Sequence, residues 1–284
     1  MSTTLGAEEA DLYEAIYRCE SCSHLTDPKG VFPFASRSAP LGQTVAVSHF
    51  GNIRTALVWL LLTNPRGSDR NDSNVGLTVQ RFATNRSQIA PSDVPRILQH
   101  FSDYDFDTSS PDFWEPWKKL LDGLTIRGKE LSFKSGGICA VDLIKCPTIG
   151  GWMGYVMTGE GKEVWANCHE LKQQMGHHFL ARQIKLHEPL VLIRPGTAFN
   201  GKGNVPTFLG EKRDWIPRKL NSLFTRGPNN YVQDVRCLTH RLTIELGGAG
   251  DAESVSLDTN RRAICRDTTQ RIIDTWLSLV EKQG

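Results

Sequence analysis

Three short, continuous apolar runs constrain the fold of this 284-residue chain more than any other feature. They are Ala56–Leu62 (ALVWLLL), Ile138–Ile144 (ICAVDLI) and Leu190–Ile193 (LVLI), and a proline follows each run within a few residues. A strand that is apolar throughout is buried on both faces, which is typical of a parallel sheet covered by helices. A fourth strand is expected within Tyr231–Leu242.

Helical patterns lie between and around these strands. The segments with apolar residues at helical spacing are Ala7–Arg18, Asp72–Arg86, Pro91–Phe101, Phe113–Leu124, Val164–Leu186 and Leu257–Lys282. Strands that alternate with helices predict an α/β protein, here a three-layer α/β/α sandwich around a short, mainly parallel central sheet. Because no internal repeat or linker is evident, we predict a single domain over residues 1–284.

The composition excludes several classes of protein. At 39% hydrophobic and 23% charged residues, with a mean hydropathy of −0.33, the chain matches ordinary globular proteins and not disordered ones. No run approaches the ~18 apolar residues that a membrane span needs. The acidic start lacks the apolar core of a secretory signal. We therefore expect a cytoplasmic monomer with no membrane partner.

Basic residues concentrate in one region although the net charge is only +2. Residues 201–241 contain eight Lys and Arg against three acids. A local positive field of this kind suits a polyanion such as DNA. Charge alone favours the simpler interpretation, a solvated charged face.

The seven cysteines are an odd number in a chain with no export signal, so a disulfide framework is not expected. Cys19 and Cys22 form a CxxC motif, which is half of a metal site. A tetrahedral zinc or a [4Fe–4S] cluster needs four ligands, so single cysteines far along the chain would complete it. Cys146 follows a predicted strand and Cys168 lies on the next predicted helix. The thiols expected in the core are Cys139 and Cys265.

The first apolar strand ends in the turn Leu62–Gly67 (LTNPRG). A turn at this point lies at the carboxyl edge of a parallel sheet, where α/β proteins bind ligands. The carboxamide of Asn64 can hold and orient a water molecule there. Asn, Pro and Gly are also ordinary turn residues, so this motif alone is weak.

Taken in order, these motifs resemble the iron–sulfur branch of the uracil-DNA glycosylase superfamily. The resemblance covers residues 19–200 and includes CESC, TNPRG, FWEPWKKLL, VDLIKCP and FLARQIKLHEP before LVLI. It implies one glycosylase-like domain with an N-terminal cluster-binding segment and a C-terminal helix.

The resemblance also implies the metal ligands. Cys19, Cys22 and Cys146 match the positions that bind a [4Fe–4S] cluster, for which zinc is the alternative. The fourth ligand is expected near Gly176 and His177, and the nearest cysteine, Cys168, lies eight residues earlier. Cys168 is preferred because thiolate is the usual cluster ligand, and His177 is the alternative.

Catalytic and DNA-binding residues are implied in the same way. Asn64 matches the residue that positions the attacking water. His240 matches a histidine that stabilises the departing base, although the proline that usually follows it is absent. Phe34 and Phe82 are candidates for stacking on the base. The candidates for phosphate contacts are Arg194, Lys202, Arg213, Arg218, Lys219 and Arg241.

Asp142 is the most informative departure from the family pattern. The family typically has Asn at this strand end, and its amide complements uracil. An ionised carboxylate only accepts hydrogen bonds, so it would repel O4 of uracil but accept from the exocyclic amino group of cytosine. This predicts recognition of a modified cytosine, such as the hydroxymethyl or glucosylated cytosine of phage DNA. An alternative of equal weight is that Asp142 has a structural role, in which it caps a helix or pairs with Lys145.

The expected function is that of a monofunctional DNA glycosylase, which flips a modified or mismatched base from DNA and hydrolyses its N-glycosidic bond. The product is an abasic site, and a modified-cytosine substrate implies a role in antiviral defence. One alternative is a repair glycosylase for uracil or mismatched thymine. Another is a non-catalytic iron–sulfur module that binds modified DNA.

The cysteine motif predicts a coloured protein. Protein purified without oxygen should be brown and absorb near ~400 nm, as expected of an iron–sulfur centre, and should contain acid-labile sulfide. Absorbance spectra with iron and zinc analysis measure this. A colourless preparation that contains zinc instead of iron would contradict the prediction.

Overall fold

The computed structural model describes residues 5–21, 45–62, 66–67, 81–109, 111–146, 148–149, 168, 178–195, 232–237, 241–246 and 259–282. The chain divides into two compact units that alternate along the sequence. The first unit comprises residues 1–50, 62–104 and 141–188, and the second comprises residues 51–61, 105–140 and 189–284. The single domain over residues 1–284 stays a prediction.

A five-stranded sheet has the strand order β5-β1-β7-β9-β8. Its strands are β1 (Val58–Leu62), β5 (Ile138–Asp142), β7 (Val191–Pro195), β8 (Val232–Cys237) and β9 (Leu242–Leu246). β7 pairs in parallel with both β1 and β9, whereas β8 is antiparallel to β9. Hydrogen bonds from Val58 N to Gly137 O and from Leu143 N to Leu62 O give β5 and β1 the same direction. The predicted α/β class with a mainly parallel sheet is confirmed.

The strands owe their position to their apolar composition. Every residue of β5 is buried, as are the first four residues of β1. Such strands have apolar side chains on both faces, so both faces need to be covered, as the uninterrupted runs predicted.

The fourth strand predicted within Tyr231–Leu242 is confirmed as β8. This stretch contains β8, which ends at Cys237, and the first residue of β9, Leu242. The two strands pair antiparallel, with Cys237 opposite Leu242. Sequence patterns did not predict that β9 lies beside β7 as a further parallel strand.

The predicted helix Val164–Leu186 is wrong as one continuous element. The structure has a helix, α4, over Phe179–His187, and His178 before it has a φ of 47°. A left-handed residue cannot continue a right-handed helix, so a new helix begins after it. Cys168 therefore does not share one uninterrupted helix with α4.

The segment Asp72–Arg86, which was predicted to turn from a loop into a helix, does not end in that helix. Asn85 is extended, with φ −144° and ψ 171°, and a short 3₁₀ turn follows over Arg86–Gln88. The Asn85 side chain accepts a hydrogen bond from the backbone N–H of Gln88 at 3.1 Å. Asparagine favours such caps because its side chain satisfies a donor at the start of a helical turn.

The described residues of the first unit form three α-helices and one short strand pair. Helix α1 packs against α2 and α4, and β2 pairs in parallel with β6. These elements are α1 (Ala7–Tyr17), α2 (Val94–Ser102), α4 (Phe179–His187), β2 (Arg66–Gly67) and β6 (Thr148–Ile149). β1 and β5 contribute only their carboxyl-terminal residues to this unit.

In the second unit, helices α3 (Pro111–Leu121) and α5 (Thr259–Val280) pack together. A hairpin of β3 (Thr125–Ile126) and β4 (Lys129–Glu130) follows α3. The buried residues of α3 are the predicted stripe: Trp114, Trp117, Leu120 and Leu121. Among the described residues, none of the helices is long and apolar enough to cross a membrane.

Removal of the Trp114 side chain should destabilise the second unit. Trp114 is 2% exposed, and its ring centroid lies 4.8 Å from that of Phe106 and 5.9 Å from that of Phe133. Trp114→Ala leaves a cavity among these rings, and we expect a loss of about 3–5 kcal/mol in the free energy of unfolding.

Urea denaturation followed by circular dichroism measures this loss. Lys119→Ala, on the same helix but with an exposed side chain, is the matched control and should change the free energy by less than about 0.5 kcal/mol. Equal urea midpoints for Trp114→Ala and the wild type would show that these contacts do not stabilise the unit.

Candidate functional site

The chain segments that leave β1 and β5 run side by side. Leu143 N donates to Leu62 O at 2.9 Å, and further along Arg66 of β2 pairs with Thr148 of β6. The TNPRG and LIKCP motifs are thus bracketed by paired residues at both ends. Asn64 lies outside the described residues, between Leu62 and Arg66, which both belong to this pairing.

Asp142 is a buried carboxyl group at the end of β5. Its exposure is 0%, and neither carboxyl oxygen has a hydrogen-bond partner among the described residues. Burial raises the pKa of Asp142 to about 7, against the opposing effect of the positive charge on Lys145. The carboxyl therefore does not cap a helix here. Its interaction with Lys145 is electrostatic and includes no direct hydrogen bond.

The ammonium group of Lys145 binds main-chain oxygens. Lys145 is 1% exposed, and its Nζ donates to Asp142 O at 2.5 Å and to Ser48 O at 3.2 Å. Gln183 of α4 donates from Nε2 to the same Ser48 oxygen at 3.1 Å. Gln183 Oε1 is buried without a hydrogen-bond partner in the described part of the chain. Asp142 and Gln183 therefore provide buried acceptors for which the described residues supply no donor.

Ser48 is also the centre of a buried hydroxyl network. Its Oγ lies 2.8 Å from Tyr17 OH of α1 and 2.8 Å from His49 Nδ1. His49 Nε2 lies 3.2 Å from Ser102 Oγ at the end of α2. Burial raises the pKa of Tyr17 far above its usual range, so the phenol stays neutral. The network joins two helices to the segment that Lys145 and Gln183 contact.

Sequence patterns predicted neither Ser48 nor Gln183 as site residues. Gln183 lies in the FLARQIKLHEP motif, but the sequence pattern gives this residue no role. Ser48 acts mainly through its main-chain oxygen, which no residue type can signal. The contact between Gln183 of α4 and the Ser48 oxygen joins residues that are 135 positions apart in the sequence.

Arg86 brings two of the predicted metal ligands close together. Its side chain is fully buried, and Nη1 lies 3.4 Å from Cys146 Sγ and 3.4 Å from Cys19 O. Cys19 itself is half-buried, and its thiol donates to Ser21 Oγ at 3.7 Å. The segment after α1 thus meets the segment after β5, as the predicted cluster requires.

The donor set is compatible with a thiolate-bound metal centre, although the described residues do not complete it. A guanidinium group beside the Cys146 sulfur suits the anionic thiolate that metal binding requires. Cys168 is buried at 3% exposure, whereas Cys22 and His177 lie outside the described residues. No three metal-ligating groups come together within the described ranges.

The two cysteines that were predicted to lie in the core are buried there. Cys139 lies in β5 with 0% exposure, and Cys265 lies in α5 with 1% exposure. Burial raises the pKa of the Cys265 thiol to about 12. Both thiols are therefore poor candidates for ligands or nucleophiles, since the thiolate is the reactive form.

Two of the arginines predicted to contact phosphate are buried. Arg194 is 3% exposed and lies 4.0 Å from Glu245 on the neighbouring strand. Arg241 is 4% exposed and donates from Nε to Pro189 O at 3.2 Å. Both of these contacts are within the protein, and the phosphate contacts of the two arginines stay a prediction.

The remaining basic candidates, Lys202, Arg213, Arg218 and Lys219, lie outside the described residues, as do Phe34 and His240. The chain next to His240 is described, and Leu242 N donates to Leu190 O at 2.9 Å. β9 therefore begins beside the start of β7, at the amino edge of these parallel strands. His240 itself lies outside the described residues, and its catalytic role stays a prediction.

Phe82 is half-buried, and the guanidinium carbon of Arg96 lies 4.7 Å from the centre of its ring. This is a cation–π contact, and it covers one face of the ring. Only the opposite face remains for the predicted stacking on a base.

Comparisons with known proteins add no relative: no protein-family model matches this sequence, and no curated protein matches it significantly. The resemblance to DNA glycosylases therefore depends on the motifs and their order. Function has to be argued from the chemistry of the site.

The buried carboxyl of Asp142 predicts a pH dependence of stability. Its pKa is higher in the folded protein than the value near 4 of an unfolded chain, so folding favours the protonated form. This contribution is fully present below about pH 4 and is lost as the pH rises through about 7.

Asp142→Asn removes this titration while the side chain keeps its shape. We expect the variant to gain stability relative to the wild type between pH 5 and pH 8. Urea midpoints of both proteins across this range measure the difference. A constant difference at all pH values would contradict a raised pKa for Asp142.

Proposed function

We propose that this protein is a DNA glycosylase that excises a modified cytosine by hydrolysis. One observation carries the proposal: at the end of β5 lies a buried carboxyl group with no hydrogen-bond donor among the described residues. The Lys-Cys motif follows it, and Leu62 and Arg66, which flank the Asn-Pro turn in the sequence, pair with the chain after β5. The mainly parallel sheet is compatible with such an enzyme. Strongly perturbed, buried titratable groups concentrate at functional sites.

Base recognition follows from the two unsatisfied acceptors. A buried acceptor without a donor costs about 1–3 kcal/mol, and a ligand that supplies the donor recovers this energy. The exocyclic amino group of cytosine has two N–H donors, which suit the Asp142 carboxylate. The carbonyl at the same position of uracil is an acceptor and would face the negative charge. Gln183 Oε1 is a second buried acceptor with no donor among the described residues, and Nε2 of the same side chain donates to Ser48 O.

The reaction uses a flipped nucleotide and one water molecule. Flipping costs a few kcal/mol, which contacts to the phosphates and the base offset. Asn64 orients a water whose oxygen bonds to C1′ as the N-glycosidic bond breaks. The bonding electrons leave with the base, and water supplies the proton that the base takes up.

The product is an abasic site and not a cleaved strand. A lyase step requires an accessible lysine amine that attacks C1′. Lys145, the lysine nearest to Asp142 in the sequence, is buried and donates to two main-chain oxygens. Because these hydrogen bonds engage the Lys145 amine, it is not positioned to attack C1′, which favours a monofunctional enzyme.

A [4Fe–4S] cluster on Cys19, Cys22, Cys146 and Cys168 would complete the protein. When bound, it supplies a covalent cross-link between distant segments and no step of the hydrolysis. The contact of Arg86 with both the Cys19 and the Cys146 segments supports this role. For DNA contacts, the proposal retains Lys202, Arg213, Arg218 and Lys219, with Phe34 or Phe82 against the base.

An activity survey tests the proposed function. Duplexes that carry cytosine, hydroxymethylcytosine, glucosylated hydroxymethylcytosine, uracil or a thymine mismatch are incubated with the protein at pH 8 and treated with alkali. We expect strand scission at a modified cytosine, and loss of scission but not of DNA binding for Asn64→Ala. Excision of uracil or thymine alone would favour a repair enzyme. Binding without scission on any duplex would overturn the enzymatic proposal.

Substitution of Asp142 should change which base is excised. Asp142→Asn provides an amide that donates to O4 of uracil, whereas the carboxylate cannot donate. The ratio of cytosine-type to uracil excision at pH 8 should fall roughly tenfold to a hundredfold. Asp112→Asn makes the same chemical change at an exposed position of α3 and should leave the ratio unchanged. An unaltered ratio in Asp142→Asn would remove Asp142 from base recognition.

A further inference from the structure

The 3₁₀ turn at Arg86–Gln88 contacts the chain that leaves α1. Arg18 Nε donates to Ser87 O at 3.0 Å, and Ser87 N donates to Glu20 Oε1 at 3.0 Å. Between these two residues, Cys19 O lies 3.4 Å from Arg86 Nη1. Three consecutive residues after α1 are thus held by two residues of one turn.

The same arginine nitrogen reaches a second segment. Arg86 Nη1 lies 3.4 Å from Cys146 Sγ, and the whole side chain is buried. A guanidinium has five donors in a rigid plane, so one arginine can bind several acceptors, whereas a lysine is a flexible point charge. Arg86 therefore connects the CxxC segment to the Lys-Cys segment through one rigid group.

Because Arg86 is buried, its positive charge favours an anionic partner nearby. Removing a guanidinium from water costs several kcal/mol unless nearby groups compensate its charge. A thiolate at Cys146 is such a group, because it is an anion at hydrogen-bond distance. Hydrogen bonds to the sulfur ligands and nearby charge are the means by which a protein tunes a bound metal centre.

We propose that Arg86 is a positioning residue of the cysteine centre, which holds the Cys19 segment against Cys146 and places a positive charge beside the Cys146 sulfur. The inference rests on the proposed metal centre but goes beyond its ligands. It implies that Arg86 both retains the metal and, for an iron–sulfur cluster, raises its reduction potential.

Two substitutions of Arg86 and one control test this role. Arg86→Met removes the charge and the donors but keeps an unbranched side chain. Arg86→Lys keeps the charge, but a lysine ammonium group lacks the planar set of donors with which the guanidinium contacts both segments. Arg18→Met is the matched control, because Arg18 contacts the same turn at Ser87 O and leaves the Arg86 contacts intact. Circular dichroism compares the folding of all three.

Two readouts independent of excision activity decide the outcome. The rate at which a chelator removes the metal should rise about tenfold or more in Arg86→Met, less in Arg86→Lys, and not in Arg18→Met. If the centre contains iron and sulfide, spectroelectrochemistry should give a lower reduction potential for Arg86→Met. If it contains zinc, the rate of zinc loss is the test.

The outcomes separate this inference from the proposed function. A wild-type protein that holds neither iron nor zinc would overturn both the metal centre and the role of Arg86. If the wild type holds a metal, unchanged metal loss and potential in Arg86→Met would overturn the role of Arg86 alone. Should Arg86→Met fail to fold, Arg86→Lys decides by the rate of metal loss, and an unchanged rate would overturn the role of Arg86.

Discussion

The burial of charged groups at and beyond the carboxyl end of β5 is the constraint on which the first unit depends. Asp142 and Arg86 are fully buried, and Lys145 is 1% exposed. Each such group costs free energy unless specific partners or a ligand compensate it. Lys145 and Arg86 have such partners in main-chain oxygens and a cysteine sulfur, whereas the Asp142 carboxyl has no hydrogen-bond donor among the described residues.

Helix α1 is tied to this region by polar contacts as well as by packing. Tyr17 binds the Ser48 hydroxyl, and Tyr13 OH lies 2.8 Å from His187 Nε2 at the end of α4. Both tyrosine rings are buried. Cys19, the first residue of the CxxC motif, lies two residues after the end of α1, so the packing of α1 determines where this cysteine lies. Polar networks of this kind favour one arrangement of the chain over alternatives when every member has a partner.

Much of the sheet could be predicted because its signal is local. The apolar runs gave β1, β5 and β7 to within about two residues, and the Lys-Cys motif placed Lys145 and Cys146 directly after a strand. The break before α4 could not be predicted, because a positive φ at His178 leaves no mark in composition. The roles of Ser48 and Arg86 depend on contacts between segments distant in sequence.

The proposed account is tested most directly by titration of the Asp142 carboxyl in the presence of free bases. Carbon-13 NMR of protein labelled at aspartate, assigned with Asp142→Asn, follows this carboxyl as the pH changes. The account predicts that free hydroxymethylcytosine shifts the titration of Asp142 and that uracil at the same concentration shifts it much less. A titration that neither base alters would contradict the claim that Asp142 reads the base.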